Sequence, residues 1–200
     1  MNETVKSRFS LLLSISGALS LAACSGAAAE DPPLEGARLG GAFTLTDHRG
    51  RQVSERDFAG RYRIAYFGFS HCPDICPTDL AAIGQGLRAF EKEDAQRAAR
   101  VVPTFISVDP DRDTPKVLAE YVAAFHPRLT GLTGTPKQVA EMVRRYGAYS
   151  AKGETTAGGG YNVDHIRIAQ LIGPDGEPIT LLPYDKGAEA VADELDRWVR

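Results

Sequence analysis

Apolar and polar positions divide this chain into a leader, a polar connector and one folded region. Ala42-Phe43-Thr44-Leu45-Thr46 alternates with period two, which predicts a half-buried strand. His48-Arg49-Gly50-Arg51 supplies a turn with the glycine it needs. Tyr62 to Phe69 is an aromatic and β-branched run and predicts a central strand. Ser70 to Pro77 reads as a loop, followed by a long helix with Leu80, Ile83, Leu87 and Phe90 at helical spacing. Val101 to Val108 predicts a second buried strand. Asp113 or Thr114 is a suitable N-cap for the next helix, with Pro115 in its first turn. That helix runs through Leu118, Tyr121, Val122 and Phe125 to His126-Pro127.

A short strand near Leu129 to Leu132 leads to Thr135-Pro136, a second cap, and to a helix ending about Tyr146. Residues 153–162 are glycine-rich and read as a mobile loop. Ile166 to Ile172 predicts a strand, Gly173-Pro174-Asp175-Gly176 a hairpin turn, and Pro178 to Leu182 its partner strand. Over 186–199 a last helix places Val191, Leu195, Trp198 and Val199 on one inward face. The order predicts an α/β domain with a central mixed sheet flanked by helices. A cysteine pair that ends the first core strand and opens the first long helix is a thioredoxin-like arrangement.

The first residues follow another pattern. Lys6 and Arg8 precede an uncharged stretch from Phe9 to Leu21. That stretch is shorter than the roughly 18 to 20 apolar residues that span a membrane, so a cleaved leader over 1–23 is expected. Leu21-Ala22-Ala23-Cys24 resembles a bacterial lipobox, in which the cysteine is lipidated and becomes the new N-terminus. The expectation is a lipid-anchored protein on the extracytoplasmic, periplasmic face of a bacterial membrane. Residues 24–39, rich in Ala, Pro and Glu, read as a flexible tether, and the domain as 40–200. Removing 1–23 takes Lys6, Arg8 and Glu3 away, leaving 23 − 2 = 21 basic and 26 − 1 = 25 acidic residues, a net −4. Such a charge gives no reason to expect a nucleic-acid partner.

Of the three cysteines, two remain for chemistry, Cys72 and Cys76, in Gly68-Phe69-Ser70-His71-Cys72-Pro73-Asp74-Ile75-Cys76-Pro77. A structural disulfide stabilises most when it closes a long loop, and this pair would close a very short one. The pair therefore points to redox or metal chemistry. At a helix N-terminus the dipole favours the thiolate, and two thiolates favour a soft ion, Cu(I) foremost. A third ligand has room beside them. His165 leads on spacing, ahead of His71, with His48 and His126 behind. Any of the four is also readable as a surface or structural histidine.

The run from Tyr66 to Pro77 resembles the signature of the Sco/SenC family of copper proteins. So do Phe105-Ile106-Ser107-Val108-Asp109-Pro110-Asp111-Arg112-Asp113-Thr114-Pro115, Gly131-Leu132-Thr133-Gly134-Thr135 and Val163-Asp164-His165. The resemblance implies a thioredoxin-like fold and copper, Cu(I) or Cu(II), held by Cys72, Cys76 and His165. It further implies a metallochaperone, rather than an enzyme, that assists assembly of the dinuclear copper site of cytochrome c oxidase subunit II. Periplasmic copper chaperones or thiol reductants are implied as further partners. The chain departs from the pattern directly after Val-Asp-His, where Ile166 and Arg167 stand instead of a small polar residue.

Several readings stay open beside it. A thiol–disulfide oxidoreductase that reduces the oxidase's copper-ligand cysteines would need Cys72 and Cys76 but not His165. A peroxiredoxin-like peroxidase would carry a Pro–Thr–Cys pattern that is absent, and a structural zinc site would need a fourth ligand. Asp74 is placed to tune charge or partner contacts, or is an exposed loop acid. Asp164 is placed to orient His165, or simply starts a strand. Asp109, Asp111 and Asp113 read as turn and cap residues more readily than as ligands of a hard cation.

Overall fold

The computed structural model describes residues 30–155 and 160–200. The leader over 1–23 and the lipobox with Cys24 lie outside them. In chain order the elements are β1 (Thr44–Asp47), β2 (Gln52–Ser54), β3 (Tyr62–Gly68), α1 (Ile75–Glu93), α2 (Ala95–Ala99) and β4 (Val101–Ser107). There follow α3 (Pro115–Ala123), β5 (Thr130–Thr133), α4 (Pro136–Arg145), β6 (Ser150–Thr155), β7 (Tyr161–His165), β8 (Ala169–Ile172), β9 (Pro178–Leu181) and α5 (Ala188–Trp198). The main sheet has the order β2-β1-β5-β4-β3-β8-β9. β3, β4 and β5 run parallel at its centre, and the outer strands join antiparallel. This is the expected mixed α/β architecture, thioredoxin-like in its arrangement. Every residue of β3 is buried, which explains an apolar run without alternation: a central strand is covered on both faces.

Local chemistry sets the helix starts. Thr114 and Thr135 each accept an amide hydrogen bond at an N-cap, with Pro115 and Pro136 in the first turn. The cap of α3 is thus Thr114, and Asp113 is free for another task. Val191, Leu195, Trp198 and Val199 are all buried on the inner side of the last helix, as the helical spacing predicts.

Two expectations change. The folded unit begins at Asp31, so the last part of the segment expected as a flexible tether belongs to the domain. The Leu34 amide donates to the Ile179 carbonyl (3.0 Å) and the Gly40 amide to the Arg145 carbonyl (2.9 Å). Backbone groups at the edge strand β9 and at the end of α4 thus find partners there, which composition does not signal. The second change concerns 153–162. Residues 156–159 lie outside the described set, but the flanks form a hairpin, β6 paired antiparallel with β7. Strand pairing overrides the glycine content, and His165 ends β7 instead of preceding a strand from Ile166.

Helix α1 packs against α5 through Gly86. A Cβ there would lie 2.6 Å from the Val191 Cβ and 2.7 Å from the Ala188 carbonyl oxygen. Alanine favours a helix over glycine by about 1 kcal/mol, but overpacking a close contact costs about 1–3 kcal/mol. Gly86→Ala is therefore expected to lower stability despite its better helix propensity. Urea unfolding checks this; a variant as stable as the parent would mean that α5 yields freely.

Candidate metal centre

The carboxyl ends of the central parallel strands carry the site, as open α/β sheets favour. β3 stops at Gly68, where a Cβ would stand 2.9 Å from the Cys76 sulfur and 3.0 Å from the Phe105 ring, so only glycine lets the strand pass so close. The chain then turns, with the Cys72 amide donating to the Phe69 carbonyl (3.2 Å). Asp113, wholly buried, anchors this turn. Its carboxylate accepts from the Ser70 amide (3.1 Å) and from the Ser107 hydroxyl (2.6 Å). His71 leaves the site: its Nδ1 lies 3.0 Å from the Ser70 hydroxyl and its side chain is exposed.

Helix α1 opens on Asp74, whose carboxylate makes no capping bond. The Cys72 sulfur takes part of that role, accepting from the Cys76 amide at 3.4 Å. Asp74 itself is exposed. Burial pushes the Cys72 thiol up, but amide donors from Cys76, Asp74 and Ile75 outweigh burial and hold it below its ordinary value. Cys76 goes the other way. Fully buried, its thiol is pushed up to about 12, with the neighbouring Cys72 adding to the rise. Both are free thiols.

His165 arrives on the hairpin. Its Nε2 lies 3.5 Å from the Cys76 Sγ, and its Nδ1 lies 3.3 Å from the Val163 carbonyl oxygen. A carbonyl only accepts, so that contact puts the proton on Nδ1 and leaves the Nε2 lone pair toward the sulfur. Burial depresses the imidazole pKa and favours the neutral ring, the form that ligates metal. The ring also packs edge-on to Phe69, with centroids 5.4 Å apart. Metal–sulfur and metal–nitrogen bonds of about 2.3 and 2.0 Å place two ligands of one ion roughly 3.5 Å apart, so Cys76 and His165 fit a shared soft ion. Among the described residues no three Cys, His, Asp or Glu groups converge on one point as they stand. The Cys72 sulfur interacts with both the thiol and the amide of Cys76.

The two candidate acids, Asp74 and Asp164, are both exposed and adjoin the site in sequence. Asp164 is exposed and alternates with His165 along β7, and the Nδ1 partner is the Val163 carbonyl instead. Asp109, Asp111 and Asp113 each have other work. Asp109 accepts from the Tyr161 hydroxyl (2.7 Å) and from Arg112, whose Nη1 donates to the Tyr161 carbonyl (2.9 Å). The Arg112 guanidinium lies over the Tyr161 ring at 3.7 Å. These contacts dock the His165 hairpin onto the loop after β4. Asp111 pairs with Lys152 at 3.6 Å on the surface. Three residues join beside the site: Tyr66 from the family signature, Arg167 from the departure after Val-Asp-His, and Asp79, which the sequence did not single out. Tyr66 donates to Asp79 (2.9 Å) while its hydroxyl also interacts with the Cys76 sulfur.

Residues 31–200 match the family model described as SCO1/SenC. The bovine protein "Protein SCO2 homolog, mitochondrial" is 43% identical over 157 residues, 78% of this chain and 58% of that protein. The chain thus spans less than two thirds of that relative's length. The solved structure of Bradyrhizobium japonicum ScoI with copper bound superposes with a TM-score of 0.73 at 38% identity, covering 80% of this chain and 99% of that one. A thioredoxin domain of a Bacteroides vulgatus thiol-disulfide oxidoreductase, at 15% identity and a TM-score of 0.57, covers 81% of this chain and 96% of its own, and shares the fold.

The unequal thiols yield a direct expectation. In the reduced protein at neutral pH, iodoacetamide should label Cys72 well before Cys76, because the thiolate is the reacting form. Mass mapping of the labelled peptides over time reads the order. Equal rates, or Cys76 first, would contradict the electrostatic picture of the helix start.

Proposed function

The chain belongs to the SCO1/SenC family, and on that premise we propose that it carries copper, holding the ion through Cys72, Cys76 and His165. Its proposed task is to pass the ion to the dinuclear copper site of cytochrome c oxidase subunit II. The observation that carries this reading is the approach of the His165 Nε2 to the Cys76 Sγ at 3.5 Å, beside a second free thiol. Two sulfurs suit Cu(I), and the imidazole adds a donor acceptable to Cu(II). Copper here is cargo, so the site must also let go. Ligand exchange with a client would begin at its exposed side, where Ile75 and Ile166 flank the Cys pair and the histidine. The leader, with Cys24, supports a lipid-anchored position on the extracytoplasmic face of a bacterial membrane. Periplasmic copper chaperones or thiol reductants would be the further partners there.

A second reading rests on the unequal thiols. The Cys72 thiolate would attack a disulfide sulfur on the client and form a mixed disulfide. The Cys76 thiolate, after losing its proton, would then attack the Cys72 sulfur. That step releases the client as a dithiol and leaves a Cys72–Cys76 disulfide for an external thiol reductant to reopen. The same pair would serve both tasks, but this one has no use for His165.

Copper titration of the full chain separates the two. Cu(I) in competition with a colorimetric chelator, and Cu(II) by absorption and electron paramagnetic resonance, should report one equivalent bound. Cys72→Ser and Cys76→Ser should each abolish that binding, and His165→Ala should weaken it at least about tenfold. Wild-type affinity and spectrum in the His165 variant would sink the three-ligand assignment. In a parallel assay on a disulfide peptide, reduction that needs Cys72 and persists in His165→Ala would support the exchange reading. No reduction by the parent protein would remove that reading.

A further inference from the structure

His165 reaches the cysteines from a hairpin that is not hydrogen-bonded into the main sheet: β6 and β7 pair only with each other. Something must hold the histidine end of that hairpin against the cysteine helix. Two residues past His165, Arg167 turns back toward α1. Its Nε donates to the Asp79 Oδ2 at 2.9 Å, and its Nη2 donates to the other carboxylate oxygen, a two-pronged fit. Asp79 lies three positions after Cys76 on α1, hence on the same helix face. It is buried, and it also accepts the Tyr66 hydroxyl from β3 at 2.9 Å. A closed circuit results. Cys76 meets His165 through space, and Asp79 and Arg167 join the same two segments one step further from the ion.

We propose that Asp79 and Arg167 are positioning residues, a buried carboxylate and a guanidinium that hold the His165 arm in place over the cysteine pair before copper arrives. The inference rests on the copper-carrier reading. Arg167 is 43% exposed at its side chain and Asp79 3%, so losing the guanidinium leaves a buried carboxylate that keeps its Tyr66 partner, and should lower stability without unfolding the domain. Its effect on the site should fall on His165. Besides the β6–β7 ladder, which pairs His165 with Ser150, the arm keeps the Ile166 amide to the Tyr149 carbonyl (3.0 Å) and the Phe67 amide to the Ile168 carbonyl (3.3 Å).

The test uses the full chain with Arg167→Leu, Arg167→Lys, Asp79→Asn and His165→Ala. In the metal-free protein, hydrogen exchange at the Ile166 amide should quicken in Arg167→Leu. With Cu(I) and the chelator, Arg167→Leu should bind about tenfold more weakly, the loss common when an outer partner of a metal ligand is removed. Its Cu(II) resonance should shift toward that of His165→Ala. Arg167→Lys should recover most of both. Asp79→Asn keeps the shape and the Tyr66 contact, and should reproduce the loss if Arg167→Leu unfolds. Wild-type copper affinity and spectrum in Arg167→Leu, beside a clear loss in His165→Ala, would overturn the positioning role and leave the three-ligand site intact. Faster exchange without any copper effect would likewise reduce the pair to a structural tie. No copper effect in His165→Ala would overturn both readings together.

Discussion

The proposed copper site depends on one contact, the approach of the His165 ring to the Cys76 sulfur across 89 positions of sequence. Each partner is delivered by a different device. Cys76 comes from the buried start of α1, pressed against a strand end that only glycine at position 68 permits. His165 comes from the hairpin, docked by Tyr161 on Asp109 and Arg112. The central parallel strands bring those devices to one edge of the sheet. Without that edge, the two residues would have no reason to meet.

The same architecture makes the thiols unlike each other. Cys72 faces a ring of amide donors at the helix start, which favour its anion. Cys76 lies in a dry pocket that penalises charge. A charge-neutral imidazole beside the drier sulfur avoids adding a second buried charge. On the proposed copper reading, such a site would take up a soft ion by displacing protons and take protons back when the ion leaves. This inequality suits the proposed thiol exchange, which would begin at the more reactive Cys72.

How much of this was legible in the chain follows from how far each feature depends on its neighbours in sequence. The β3 run, the Thr-Pro caps and the inward stripe of α5 are local patterns, and the structure bears them out. The cysteine spacing was equally local. The hairpin of β6 and β7 was hidden, since Ala, Lys, Gly and Glu of β6 carry little strand preference and pairing decided the outcome. Asp113 looked like a cap and instead anchors the cysteine turn through Ser70 and Ser107. Asp79 carries no local signal at all: it is buried with Tyr66 and Arg167 reaching it from a distant strand and loop. Such ion pairs depend on tertiary approach, which no spacing rule encodes.

X-ray absorption at the copper edge is the most direct test of the central claim. The full chain, reduced and loaded with one equivalent of Cu(I), would be measured beside His165→Ala. The account predicts a copper shell of two sulfurs and one imidazole nitrogen, with the nitrogen and its outer ring scattering lost in the variant. A shell of sulfur alone in the parent protein, or an unchanged nitrogen contribution after the substitution, would contradict it.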